Sequence, residues 1–404
     1  MTILDLSNNK ITHFSDGIFL HLENLQILYI QNNEILPIPG MFRGLFNIKW
    51  LHVDVFSICC AKPQSINVVK CVAPQNELSS CDQLINVPIL NVGIWYIALL
   101  ATFGNIVAFI SSFTTFQKTT ISYFTFCRNL SVADFLMGLY LYIIAIMNLV
   151  YIGNYGLNDY AWRHSGLCKF AGILATTSSE ASTLFVLLIT IDRVISIKYP
   201  FFQRQRGFTL GLTLLSWVVA IFISVAPILL EEVPFFADFY SKSPICISLP
   251  LSVRRQTGWQ YSMVIFVGFN FIIFLAIAVG QIVILTEVMK SSRVCHSSNV
   301  RHREVALAKS VVSVVLTDLL CWIPIGIIGM LTFYGIDVSQ DAYAWIIVLV
   351  LPVNSALNPM LYTLSTIVRE RRRSKFERNL EDHFEVCQTN YKACHEEVNH
   401  KQRG

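Results

Sequence analysis

The chain has 404 residues, 54% of them hydrophobic and only 14% charged, with a mean hydropathy of +0.55. A soluble domain carries about 25% charged residues, so the excess apolar surface has to face something other than water, and lipid is the simplest choice. The formal charge of +4 is too small to suggest a nucleic-acid partner. No nucleophile–base pair, phosphate loop or metal cluster recurs with suitable spacing, which argues against an enzyme.

Residues 1–58 contain a repeat. Leu4-Asp5-Leu6-Ser7-Asn8-Asn9-Lys10-Ile11 returns 24 positions later as Leu28-Tyr29-Ile30-Gln31-Asn32-Asn33-Glu34-Ile35, and a degenerate third copy follows at Leu51-His52-Val53. This is the leucine-rich pattern L-x-L-x-x-N-x-L at a period of 20–29. It predicts a short amino-terminal leucine-rich-repeat solenoid (α/β). The leucines should fill its core, and each asparagine should bond free backbone groups inside the turn. Alternate strand residues point outward, which puts Asp5, Ser7, Tyr29, Gln31, His52 and Asp54 on a candidate ligand-binding face; the carboxylates would suit a basic peptide. The alternative is a solvated face with no partner. Met1 opens onto the repeat without a charged and apolar leader, so further repeats are expected ahead of it.

Residues 59–91 read as a hinge. Cys59, Cys60, Cys71 and Cys81 lie among proline, asparagine and serine, outside any apolar run. They predict a disulfide-bonded cap in an oxidising compartment, with three connectivities open. A zinc site is the alternative.

Seven apolar stretches follow, at about 92–114, 123–150, 167–193, 209–230, 258–286, 305–334 and 343–364. Each can cross a hydrocarbon core of about 30 Å, so residues 92–365 are predicted to form an all-α seven-transmembrane helix bundle and 366–404 a cytoplasmic helix and tail. Lys118, Lys198, Arg204, Arg206, Lys290, Arg293, Arg301, Arg303 and the run from Arg369 to Arg378 mark the cytoplasmic side. Arg163, Lys242, Arg254 and Arg255 weaken the contrast without reversing it. The amino terminus is therefore expected outside, which the cysteine chemistry also requires.

An ionisable group inside a span costs roughly 2.5–3.5 kcal/mol on insertion scales, so each should face the bundle interior. Asp134, Glu180 and Asp318 sit in the second, third and sixth spans. Either they support hydrogen bonding in the fold or they serve switching. Asp192-Arg193 closes the third span. Cys321-Trp322-Ile323-Pro324 and Asn354-Ser355-Ala356-Leu357-Asn358-Pro359-Met360-Leu361-Tyr362 interrupt the sixth and seventh, where proline frees a carbonyl and kinks the helix. Asn354 and Asn358 offer polar partners for the carbonyl freed by Pro359. A sodium-accepting pocket is expected around Asp134, with Ser182, Asn354 and Asn358 nearby; no other cofactor is expected. Cys168 opens the third span and Cys246 lies in the longest outer loop, so both stand in an oxidising compartment and can pair. Cys387 and Cys394 on the tail are palmitoylation sites or free thiols.

Gly104-Asn105, Asp134, Asp192-Arg193, Trp217, Cys321-Trp322-x-Pro324 and Asn358-Pro359-x-x-Tyr362 fall in order on the spans. Together they resemble the rhodopsin-like G-protein-coupled receptors over about 275 residues. Leucine-rich repeats joined to the bundle by a Cys-Cys hinge resemble the leucine-rich-repeat-containing receptors. Thr317-Asp318-Leu319-Leu320-Cys321 and Leu351-Pro352-Val353-Asn354 resemble the relaxin-receptor branch, and Leu167-Cys168-Lys169-Phe170-Ala171-Gly172 its invertebrate members. The resemblance implies a Cys168–Cys246 disulfide and a polar contact from Asp318 to Asn354 or Asn358. It implies an activation switch built from Asp134, Asp192, Arg193, Asp318, Trp322, Pro324, Asn354, Asn358, Pro359 and Tyr362. Three features depart from the pattern: Val194 replaces an aromatic residue common in relatives, the fifth span lacks the usual proline, and Gln281 stands where an activating tyrosine is usual.

The expected protein is a multi-pass plasma-membrane receptor embedded in the lipid bilayer. By the resemblance, its extracellular ligand is a relaxin- or insulin-like peptide hormone. Its intracellular partner is a heterotrimeric G protein of the stimulatory class, which raises cyclic AMP. A transporter would show half-symmetry among its spans, and none is visible. A non-signalling leucine-rich-repeat ligand trap or adhesion protein is the alternative, but it would have no need of Arg193, Trp322 and Asn358-Pro359.

Overall fold

The computed structural model describes residues 1–61, 70–73, 80–114, 121–199, 205–247, 257–294, 317, 321–336, 338 and 340–360. Asp318 and Tyr362 lie outside the described residues.

Three short strands, β1 (Ile3–Asp5), β2 (Ile27–Tyr29) and β3 (Trp50–His52), pair in parallel in one sheet. The register places Leu4, Leu28 and Leu51 side by side, so the repeat period is also the period of the sheet. Leu28, Ile30, Leu51 and Val53 are buried, and Phe19, Leu25, Phe42 and Leu45 close the same core from the return segments. Asn33 ties the turns together: its amide Nδ2 donates to the carbonyls of Leu6, Ile30 and Gln31 at 2.9–3.2 Å, and its Oδ1 accepts from the Ile11 N–H. Asn8 and Asn32 hold left-handed backbone at φ 57° and 55°, a conformation that asparagine tolerates better than most residues.

The hinge contributes a fourth strand that the leucine pattern does not announce. β4 (Lys70–Val72) pairs with β3 and places Cys71 in the leucine column beside Leu51. A short helix, α1 (Phe56–Cys60), precedes it. Cys59 bonds Cys71 and Cys60 bonds Cys81, so both hinge bridges begin at the end of α1.

The helical part comprises α2 (Pro88–Thr114), α3 (Ile121–Val150), α4 (Tyr155–Arg163), α5 (Gly166–Lys198) and α6 (Arg206–Leu229). Next, α7 (Trp259–Ser262) runs through a π-helical stretch, Met263–Phe269, into α8 (Asn270–Val294). Beyond these come α9 (Cys321–Phe333), α10 (Gln340–Trp345), a π-helical stretch at Ile346–Val350, and α11 (Leu351–Asn358). Among the described residues, α2, α3, α6 and the α7–α8 unit are long and apolar enough to cross a membrane. Leu99, Phe103, Val107 and Ile110 form an exposed stripe on α2, as do Leu210, Leu214 and Val218 on α6 and Phe271, Leu275 and Val279 on α8. Stripes at helical spacing that no protein atom covers are faces for lipid.

α5 is as long but more polar, and its packing explains why. It lies against α3, α6 and α8, so Thr176, Thr177, Ser178, Ser179, Glu180, Ser182, Thr183 and Asp192 are all buried against protein. Ser178 donates to the Ala133 carbonyl and Thr177 pairs with Ser224. A central helix can carry polar groups that a lipid-facing one cannot.

Candidate functional site

Asp134 on α3 is fully buried. Asn358 Nδ2, from α11, donates to its Oδ2 at 2.8 Å and lies 3.4 Å from Ser182 Oγ on α5. Three helices thus meet on one carboxylate, and a donor is what a buried carboxylate requires. Beside this group is a cavity of about 10 Å³ lined by Ser179, Ser182, Thr183, Trp322, Asn354 and Ser355 among others, the room that one water needs. Asn354 Oδ1 is buried and has no partner among the described residues. Asp134, Ser182 and Asn358 therefore stand together, with Asn354 and Trp322 at the neighbouring cavity.

The prolines leave carbonyls free, and the partners are specific. Pro359 cannot bond the Ser355 carbonyl four residues back. Asn105 on α2 takes it, with Nδ2 donating to Ser355 O at 3.0 Å. The expectation that Asn354 or Asn358 would supply this partner is corrected: Asn358 is spent on Asp134, and Asn105 of the adjacent α2 donates to the Ser355 carbonyl instead. Inside α6, Pro227 does the same to Ile223, whose carbonyl accepts from the Tyr261 hydroxyl at 2.7 Å.

At the end of the bundle away from the hinge, Asp192 is buried and the Arg193 guanidinium lies 3.9 Å over the ring of Tyr123. Gln281 on α8 donates to Thr190 Oγ1 at 3.1 Å, one turn before Arg193. Trp217 donates to Asn129 Oδ1 at 2.9 Å, joining α6 to α3.

The hinge end is tied more tightly than the loop lengths suggest. Cys168 bonds Cys246. Gly172 on α5 has no room for a side chain, because a Cβ there would sit 2.4 Å from the Cys246 carbonyl oxygen. Trp162 of α4 donates to Pro244 O at 2.6 Å, and Tyr140 of α3 donates to Ile245 O at 3.0 Å. In α4, Asp159 accepts from both Tyr155 and Arg163 at 2.5 Å. Burial, and then Asp159, push the Tyr155 phenol well above its ordinary range, so it remains a donor. The hinge sits on this helix: Gly156 N donates to Cys81 O at 2.9 Å and Gly153 N to Asp82 O at 2.6 Å. Asn148 at the end of α3 accepts from Ile85 N and donates to Asn91 on α2.

On the repeat sheet, Asp5, Tyr29 and His52 share one outward column, and Ser7, Gln31 and Asp54 follow two residues on. Asp5 is exposed; the other five are half-buried. The Ser7 hydroxyl and N–H hold the Asp5 carboxyl below its ordinary value of 3.8. Tyr29 stacks on His52 at 4.6 Å and Trp50 on His52 at 6.2 Å, while Lys70 Nζ lies 5.0 Å over Trp50. Asp54 is partly committed, since its Oδ2 accepts from Asn33 N at 3.2 Å. Trp50 and Lys70 were not expected on this face; the outward position two before each Asn-bearing turn was legible, but the column beside it was not.

A repeat sheet with a disulfide-bonded hinge that hydrogen-bonds to a bundle of apolar helices, with a buried carboxylate inside that bundle, defines a membrane receptor. The family described as "7 transmembrane receptor (rhodopsin family)" matches residues 104–362, and "Leucine rich repeat" matches residues 1–54. The chain belongs to the rhodopsin family of seven-transmembrane receptors and carries leucine-rich repeats. It is 36% identical over 328 residues to the G-protein coupled receptor GRL101 of Lymnaea stagnalis, covering 81% of this chain and 29% of that one. It is 32% identical over 333 residues to relaxin receptor 2 of Canis lupus familiaris, covering 81% and 44%, and 32% identical over 333 residues to relaxin receptor 1 of Mus musculus, covering 80% and 42%. The chain therefore spans less than half the length of these relatives.

Proposed function

We propose that this receptor carries an extracellular peptide signal to a heterotrimeric G protein. The repeats face outward and bind a peptide of the relaxin or insulin-like class. The hinge passes the binding event to the bundle, which opens at its cytoplasmic end. The G protein is of the stimulatory class, raising cyclic AMP. The amino terminus lies outside the plasma membrane and the carboxyl end in the cytoplasm. Sodium bound near Asp134 and Ser182 favours the resting bundle, and Asp318 holds the sixth span to the seventh through Asn354 or Asn358.

The observation that carries this reading is the continuous bonded connection from the repeats to the helices. β4 extends the repeat sheet, Cys59–Cys71 fixes it to α1, Cys60–Cys81 ties α1 to the segment that follows, and the Gly156 N–H of α4 donates to the Cys81 carbonyl. From α4, Trp162 and Arg163 reach the loop that Cys168 anchors. A ligand trap needs only a tether at this point.

The test is nucleotide exchange on purified stimulatory G protein in membranes bearing the receptor, with and without relaxin-like peptides. Peptide-dependent exchange is expected. Saturable peptide binding with no exchange on any G-protein class would leave the trap reading instead.

A further inference from the structure

We propose that Tyr123 is a positioning residue for Arg193: its ring holds the guanidinium at rest, and the arginine must leave that ring for a G protein to engage. This rests on the receptor reading above.

Tyr123 stands in the first turn of α3, only 4% exposed, and packs against Phe124 at 5.6 Å. Phe126, Cys127, Phe185 and Ile189 belong to the same buried cluster. Standing on α3, the ring does not travel with the arginine if α5 shifts. The Arg193 guanidinium carbon sits 3.9 Å above its face, well within the roughly 6 Å over which a ring quadrupole attracts a cation. Asp192, 2% exposed, projects about 100° from Arg193 on the helix, so its attraction for the guanidinium acts alongside the ring. Desolvation strengthens a cation–ring contact, and the ring here is buried.

Arg128, also on α3, supplies an internal comparison. Its guanidinium lies 4.0 Å over Phe113, but Nε and Nη2 also donate to Ser112 Oγ and to the Ser112 carbonyl at 3.0 and 3.1 Å. That arginine is fastened by the end of α2 as well as by a ring, and is a fixed strut. The contact at Arg193 joins two helices through a single residue, the ring of Tyr123 under the guanidinium and its hydroxyl hydrogen-bonded to it, which suits a hold that must release.

The experiment compares wild type with Tyr123→Phe, Tyr123→Leu and Phe113→Leu. Tyr123→Leu keeps apolar volume and removes the ring; Tyr123→Phe keeps the ring. Basal nucleotide exchange per surface-labelled receptor should rise about three-fold or more in Tyr123→Leu, rise less in Tyr123→Phe, which loses only the hydroxyl contact, and stay near wild type in Phe113→Leu. In arginine-labelled receptor, NMR should show the Arg193 side chain shifted upfield by the ring, with the signal assigned by its loss in Arg193→Lys. Tyr123→Phe should keep that shift and Tyr123→Leu should lose it. An unshifted Arg193 signal in wild type overturns the proposal, as does wild-type basal exchange in Tyr123→Leu once the shift is lost. If no form engages any G protein while the shift behaves as expected, the coupling reading fails and with it the role given to release; the hold itself stands.

Discussion

Asn358 donates an amide hydrogen to Asp134 across 2.8 Å, and the same nitrogen lies 3.4 Å from the Ser182 hydroxyl. The amide thus supplies the positive end of a dipole where a cation would compensate the carboxylate. Sodium and this amide should compete for Asp134. In Asn358→Ala, ligand affinity should respond more strongly to replacing choline by sodium than in wild type; in Asp134→Asn the response should vanish. Removing the bond should lower stability by about 0.6–1.7 kcal/mol, the range seen for hydrogen bonds between membrane helices. Equal sodium dependence in all three forms would count against a sodium site.

Gly156 reports on the coupling of hinge to bundle. A Cβ there would lie 2.4 Å from Cys60 Sγ and 3.2 Å from the Cys81 backbone. Gly156→Ala must therefore push the Cys60–Cys81 bridge off α4, at a cost of about 1–3 kcal/mol for overpacking. The Gly156 and Gly153 amides, now bonded to Cys81 and Asp82, should exchange faster with deuterium. Peptide efficacy should fall more than peptide affinity. Gly166→Ala, where nothing lies within 4 Å, is the matched control and should leave all three readouts unchanged.

The repeat period and its asparagines make the sheet legible in sequence, because each copy carries its own leucines and its own turn. β4 was hidden because Cys71 fills the leucine column, and a cysteine there reads as disulfide chemistry before it reads as core. The ordered motifs of the helices identify the family because they are few and fixed in order. Their contacts are less legible. Pro359 announces a free carbonyl, but only packing shows that Asn105, 250 positions away, receives it. Arg193 announces a charge that needs a partner, but Tyr123 is one aromatic among many. Nothing in the spacing of Gly156 distinguishes it from a loop glycine. Long-range pairing is decided by geometry that a single sequence leaves open.

Asp5 offers a test of the repeat face that does not disturb the fold. Its carboxyl is exposed and bonded by Ser7, whereas Asp54 also supports the Asn33 turn. Asp5→Ala should weaken binding of a basic peptide about two- to five-fold, and the loss should shrink at high salt. Because the folded carboxyl is held below 3.8, its attraction is present above that pH and lost only as pH falls through the lowered value. Affinity measured by surface plasmon resonance should therefore show no Asp5-dependent step down to about pH 4. In Ser7→Ala the step should move up toward the ordinary value. Unchanged affinity in Asp5→Ala for an identified ligand would remove this face from the binding site.

Glu180 separates a structural acid from a functional one. It is fully buried on α5, and its Oε1 accepts from Asn270 Nδ2 at 3.0 Å. Its Oε2 and Asn270 Oδ1 have no partner among the described residues. Neither nearby phenol is available: Tyr240 donates to Ser224 O and Tyr261 to Ile223 O, both at 2.7 Å. A buried carboxyl with one donor leaves acceptor capacity unmet, and each unmet group costs about 1–3 kcal/mol. Glutamine has the same length and brings two N–H donors, so Glu180→Gln can keep the Asn270 bond through its oxygen and donate through its nitrogen. The thermal midpoint of detergent-purified receptor should rise, by about 1–2 kcal/mol in free energy. Glu180→Ala should lower it, because it strands the Asn270 amide and leaves a cavity. If Glu180 instead meets a cationic group of a ligand inside the bundle, Glu180→Gln would cut affinity for that ligand. A glutamine variant that is less stable than wild type would show that the carboxyl makes an ionic contact that an amide cannot replace.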